Sequence, residues 1–315
     1  MKETIRRIAL DSGYILAGFS GISLESEDRN NLLEYSNLLE NEMSWFMRYS
    51  DIRIHPEKIM EGARSVLVLA LPYLDSEYDS FIKNSRIKIS RYAAGKDYHK
   101  LLRKMGARML HKIKEEFPQV EGRVTADSAP VPEKILARYS GIGWQGKHTN
   151  MIHPDFGSYF FISCIFLNVE IEPDTVMKDR CGNCRKCIDA CPTEALGEYR
   201  IDAKKCISYL TIEKKESIPE EYHGRMNGWI FGCDICQEVC PYNLRDRIHD
   251  LNAEKKIIPE KKILDFLESL NLGISPFAKN ENARENFDVL TQGSPVRRAG
   301  FEKLVENITI TLASE

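Results

Sequence analysis

Two runs of cysteine constrain this chain more than any other feature. Cys181, Cys184, Cys187 and Cys191 are spaced C-x2-C-x2-C-x3-C, with Pro192 directly after the last. Cys206 follows alone, then Cys233, Cys236 and Cys240, with Pro241 behind them. A run of this kind binds a 4Fe–4S cubane through three thiolates, and where two clusters are present its fourth cysteine crosses to the other one. The spacing therefore predicts two clusters. Cys181, Cys184, Cys187 and Cys240 take the first; Cys191, Cys206, Cys233 and Cys236 take the second. The prolines have no N–H to donate and help turn the chain away after each ligand. Zinc and disulfides are the competing readings. Zinc accepts C-x2-C pairs, but two C-x3-C-P endings are much harder to explain with it, and disulfides call for an oxidising compartment. The ninth cysteine, Cys164, lies in the apolar run 159–167 and reads as a buried structural thiol.

At 315 residues the chain is longer than a cluster module needs. The expected division is 1–173 as a main domain, 174–243 as the two-cluster module and 244–315 as a helical tail. Lysine and arginine number 44 and aspartate and glutamate 47, a net charge of −3. No global positive field announces a nucleic-acid partner, so RNA contact would require a local patch. Arg6 and Arg7 invite an export reading, but Asp11 interrupts the following segment before an apolar stretch forms. No run of about 18 apolar residues offers a membrane span. A soluble protein of a reducing cytoplasm is expected, with no membrane partner.

Hydrophobic periodicity predicts helices over 2–11, 28–49, from 97 to 117, over 132–139 and over 263–270, and strands over 14–19, 65–71, 120–126 and 158–168. The continuous apolar run 65–71 suits a strand covered on both faces. Near the end, Ser294 caps a further helix with Pro295 at its first position. Strands interleaved with helices indicate a mixed fold, α+β or α/β, for the main domain.

Outside the cysteines, two polar segments stand beside glycines and prolines. One runs from Asp127 to Glu133, directly after an expected strand; the other spans 141–150 and carries Gln145 and Lys147. A carboxyl group at a strand end is placed to move a proton, and glycine lets a backbone approach a large ligand. By residue type alone, a capped turn and loop punctuation explain the same residues. A third segment, 86–99, mixes bases with aromatics, which suits phosphate or base contact; a solvated basic face is the plainer account. Lys83, Arg86, Lys88, Arg297 and Arg298 are the candidates for a local positive surface.

These segments taken together resemble tRNA epoxyqueuosine reductases. The resemblance rests on the cysteine runs, D-S-A-P at Asp127, G-I-G-W-Q-G-K-H-T-N at 141–150, S-R-Y-A-A-G-K-D-Y-H at 90–99 and G-S-P-V-R-R at 293–298. It extends from near residue 1 to about residue 310. It implies a cobalamin-binding mixed α/β domain, a bacterial-ferredoxin-like module with two 4Fe–4S clusters, and a short helical C-terminal region. The implied reaction removes the epoxide oxygen of epoxyqueuosine in the tRNA anticodon loop, the last step of queuosine synthesis. By motif, the family's proton donor falls on Asp127, and the corrin surface would involve Arg53, Arg91, Asp127, Gln145, Lys147 and Ser158. Implied partners are tRNA carrying epoxyqueuosine and an external low-potential electron donor, with the chain acting as a monomer. Long family members end in HEAT-like repeats that help hold tRNA; here the sequence stops soon after Arg298, so RNA contact is expected without them. A cobalamin-dependent reductive dehalogenase and a non-catalytic ferredoxin-type electron-transfer protein are the alternative readings.

Overall fold

The computed structural model describes residues 1–39, 43–127, 129–245, 257–273, 277 and 282–313. The chain forms two compact units, each assembled from separated segments. The first comprises Met1–Pro72, His99–Gly146 and Asn150–Gly182; the second comprises Tyr73–Tyr98, Lys147–Thr149 and Asn183–Glu315.

The first unit is built on a four-stranded sheet. Its strands are β1 (Leu16–Gly21), β2 (Ser65–Pro72), β3 (Gly122–Thr125) and β4 (Phe160–Leu167), in the spatial order β1-β2-β4-β3. Every pairing is antiparallel, with Val68 facing Cys164 and Cys164 facing Thr125 across the ladders. The α+β half of the expected fold class is thus realised in this unit, and the parallel α/β half is not. All eight residues of β2 are buried, as the uninterrupted apolar run requires. Val66, Val68 and Ala70 pack with Leu136, Ala137, Ile142, Cys164 and Phe166 on one face. Full burial of each large aliphatic side chain here is worth about 1.5–3 kcal/mol. The longer helices of this unit are α1 (Lys2–Asp11), α2 (Ser26–Leu38), α3 (Tyr98–Glu116) and α4 (Glu133–Tyr139). Gly106 lets α3 press on β3, since a Cβ there would come within 2.5 Å of a Val124 methyl.

The helix expected over 28–49 is not continuous. It ends at Leu38, and separate turns form at Ser44–Met47 and Ser50–Ile54. Leu32 and Trp45 are 45 − 32 = 13 positions apart, which sets them about 140° apart around a continuous helix. One stripe cannot bury both. Trp45, on the later turn, stays exposed and meets Phe46 edge to face, with the Arg53 guanidinium 4.3 Å from the Phe46 ring centre.

In the second unit, Lys88–Ile89 and Trp229–Phe231 form a short parallel pair. Helix Phe301–Ala313 supports it: buried Asn307 donates to the carbonyls of Thr211 and Ile230, both at 2.9 Å. Helix Lys261–Asn271 buries Ile263, Phe266, Leu267 and Leu270, and its last residue accepts the N–H groups of Arg86 and Ile87. Ser294 caps Val296 with Pro295 at the first position, although the turn it opens is a 3-10 helix, Pro295–Ala299. Short helical pieces, Lys186–Asp189 and Ile235–Glu238, carry the cysteine segments. Among the described residues no helix is long and apolar enough to cross a membrane.

Candidate functional site

One strand end and two helix starts bring side chains together at Asp127. Strand β3 stops at Thr125, so Asp127 projects just beyond the sheet. Helix α3 begins at Tyr98 and offers His99 from its first turn, with Nε2 2.7 Å from Asp127 Oδ2. Helix α4 begins at Glu133, whose Oε1 accepts the Asp127 N–H at 2.8 Å. Asp127 adopts φ 47°, a left-handed conformation that costs a non-glycine residue on the order of 1 kcal/mol. The hydrogen bond to Glu133 helps hold that geometry.

The electrostatics of the two carboxyl groups differ. The Asp127 side chain is 52% exposed and lies beside an imidazole that is 21% exposed. Glu133 is only partly exposed, and burial, then the neighbouring Asp127 charge, pushes its carboxyl up to about 8. Near neutrality Glu133 therefore holds a proton while standing against Asp127. Arg53 completes the group: burial pulls its guanidinium down, and the Asp127 carboxylate pulls the other way. Its Nη1 is buried with no hydrogen-bond partner. Gln145 sits in a two-residue strand, Trp144–Gln145, paired with Met151–Ile152, and Ser158 is buried.

Arg91 and Lys147 belong to the second unit and are engaged there. The Arg91 guanidinium is fully buried among Asp79, Asp234 and Glu238. Lys147 is buried with Nζ 2.9 Å from Glu198. The five basic candidates divide similarly. Lys83 pairs with Asp79, Arg297 with Asp288 and Arg298 with Glu213. Arg86 and Lys88 line a cavity of about 500 Å³ together with His223 and Trp229.

Cys206, Cys233 and Cys236 lie within electrostatic reach of one another, with Cys191 acting on Cys206 and Cys236 and Cys187 on Cys236 as well. Burial pushes the thiols of Cys206, Cys233 and Cys236 up. Repulsion from Cys206 adds to this at Cys236, from Cys236 at Cys233, and from Cys191 at Cys206. Backbone N–H groups of Ser208 and Tyr209 point at the Cys206 sulfur, and that of Ile235 at the Cys233 sulfur. Cys206, Cys233 and Cys236 therefore ionise only at a penalty, which a positive inorganic core removes. Of the other four, Cys187 and Cys240 are buried and Cys181 and Cys184 are partly exposed; the Cys181 N–H donates to Asp179. Among the described residues, no three His, Cys, Asp or Glu side chains converge on a single-ion site. A cubane does not ask for that, since each thiolate binds a different iron. Cys164, in contrast, is fully buried in the sheet, where desolvation pushes its thiol well up.

Residue types alone gave no role to His99 or Glu133. Glu133 carried a signal, because Pro130 and Pro132 turn the chain between it and Asp127. His99 carried none, since its contact depends on how α3 packs beside β3.

Comparison with known proteins adds a family. The model described as "Epoxyqueuosine reductase QueG, DUF1730" matches residues 53–128, and "4Fe-4S double cluster binding domain" matches 180–243. An epoxyqueuosine reductase of Leadbetterella byssophila is 38% identical over 307 residues, covering 97% of this chain and 96% of that protein. The Escherichia coli epoxyqueuosine reductase is 33% identical over 318 residues, covering 100% and 81%. A crystal structure of epoxyqueuosine reductase with a tRNA-Tyr epoxyqueuosine-modified stem loop superposes with a TM-score of 0.79 at 25% identity, covering 99% of this chain and 81% of that one. The chain belongs to the epoxyqueuosine reductase family.

Proposed function

We propose that this chain reduces epoxyqueuosine in tRNA to queuosine, with cobalamin at the reacting centre and electrons supplied through two 4Fe–4S clusters. The observation that carries this reading is full-length kinship with epoxyqueuosine reductases, on a chain that holds Asp127 between an imidazole and a second carboxyl group. The crowded thiols of Cys191, Cys206, Cys233 and Cys236 suit one cluster, and Cys181, Cys184, Cys187 and Cys240 are assigned to the other.

The residues of the first unit also suit cobalamin. Arg53 is pinned against Phe46 and keeps a buried N–H without an acceptor. Amide and phosphate oxygens of the cofactor would satisfy it. We assign Arg53, Gln145, Ser158 and Asp127 to that contact. Arg91 and Lys147 are neutralised by carboxylates, and we assign them to holding their own segments in place. Bound cobalamin would supply the redox reactivity toward carbon that no side chain has. Asp127 donates the proton taken up by oxygen as the epoxide C–O bond breaks. Overall, two electrons and two protons convert the epoxide to an alkene and water.

For the RNA, Arg86 and Lys88 provide phosphate contacts at the cavity rim, with Lys83, Arg297 and Arg298 as further cations. Phosphate contact makes binding steeply salt-dependent. The flexible anticodon loop makes extrusion of the modified base inexpensive. An external low-potential donor, a monomeric chain and a cytoplasmic setting complete the proposal.

The deciding experiment is anaerobic reconstitution with counting of iron, sulfide and cobalt, followed by nucleoside analysis of tRNA carrying epoxyqueuosine. Conversion to queuosine that requires both cobalamin and reductant is expected. Fully loaded protein that leaves the nucleoside unchanged would overturn the reading.

A further inference from the structure

The reaction consumes two protons at one oxygen, and Asp127 holds one. Resting on the proposed reduction, the question is what refills it. His99 Nε2 lies 2.7 Å from Asp127 Oδ2, and both side chains are partly open to water. Glu133 faces the same residue from the other side, but it meets the Asp127 backbone N–H and not the carboxylate.

We propose that His99 acts through Asp127 as its proton relay, passing solvent protons to the carboxylate between the two protonation steps. A proton lies between Nε2 and Oδ2 whichever partner carries it. When Asp127 gives its proton to the epoxide oxygen as the first C–O bond breaks, a carboxylate and a neutral imidazole remain. Solvent then protonates the partly exposed imidazole, which passes a proton from Nε2 to the carboxylate. Asp127 then delivers the second proton as the remaining C–O bond breaks and water departs. The two electrons come from the clusters, so atoms and charge balance. His99 does not touch substrate in this scheme; it is a positioning and relay residue. Among the described residues, the charged groups near the pair include Arg53, whose field acts on Asp127, Glu133 and its neighbour Lys134, and Arg103, whose Nε donates to the His99 carbonyl from the same helix.

Three measurements test this. His99→Gln keeps an N–H in reach of Asp127 but no transferable proton. It should retain clusters, cobalamin and RNA affinity, and lose turnover on the order of 10²-fold, with the acid–base limb of the pH profile that belongs to histidine gone. In His99→Ala, free imidazole should restore activity several-fold, an effect that lost packing cannot produce. Independently of any reaction, NMR titration of the ligand-free full chain should show the proton affinity of His99 falling about threefold in Asp127→Asn, the worth of a half-exposed ion pair. Turnover within twofold of wild type in His99→Gln would overturn the relay. So would indifference of His99→Ala to imidazole, or a His99 titration unmoved by Asp127→Asn. Because the titration needs neither substrate nor cofactor, failure of the dyad and failure of the proposed reaction are told apart.

Discussion

The guanidinium of Arg91 lies 3.0 Å from the carboxylate of Asp234, and about 1% of either side chain is exposed. Asp234 also accepts the Arg91 backbone N–H and the Ser90 hydroxyl, while Asp79 and Glu238 flank the same cation. Asp234 stands between Cys233 and Cys236, so one buried arginine anchors the segment that carries both cysteines.

Removing one partner of a buried ion pair strands the others without compensation. Arg91→Ala is expected to lower stability by about 3–5 kcal/mol, read as a shifted urea midpoint of the cluster-free chain. An unshifted midpoint would mean that the three carboxylates find other partners.

Asp127→Asn removes the transferable proton and keeps the side-chain volume. Clusters and cobalamin should remain, with turnover reduced on the order of 10²–10⁴-fold. Single-turnover rates near wild type would remove Asp127 from the chemistry.

Cys236 sits among the crowded thiols, and Cys236→Ala should abolish one cluster. Iron per chain is then expected to drop from roughly eight to roughly four. An unchanged count would refute its place as a ligand.

Glu133 yields a pH prediction with a definite sign. Its carboxyl is raised to about 8 in the folded chain, above the ordinary value of 4.5. Below pH 4.5 both folded and unfolded chains keep it protonated, and it costs nothing. As pH rises, the unfolded chain ionises first, and stability is lost progressively until the folded group ionises near pH 8. Glu133→Gln, which still accepts the Asp127 N–H, should therefore be neutral at pH 4 and stabilising by on the order of 1–3 kcal/mol at pH 8. Equal stability of the two proteins at pH 8 would show that Glu133 is not held protonated.

Much of this could be read along the chain. The apolar run at 65–71 became a strand buried on both faces, because seven consecutive apolar or small residues have no polar face to show. The stretch 28–49 misled, because leucines and aromatics that suit a helix by count do not share a stripe around one. Arg91 looked like a ligand contact by its motif, and its burial among three carboxylates was invisible until segments far apart in sequence came together.

Cysteine spacing and proline placement are local properties, since bond lengths and turn geometry fix which thiols one short run can offer a cubane. The pairing of His99 with Asp127, and the proton held on Glu133, are properties of packing. Residues 28 positions apart meet only when α3 lies against β3. A carboxyl group rises to about 8 only when folding removes its water and sets another carboxylate beside it.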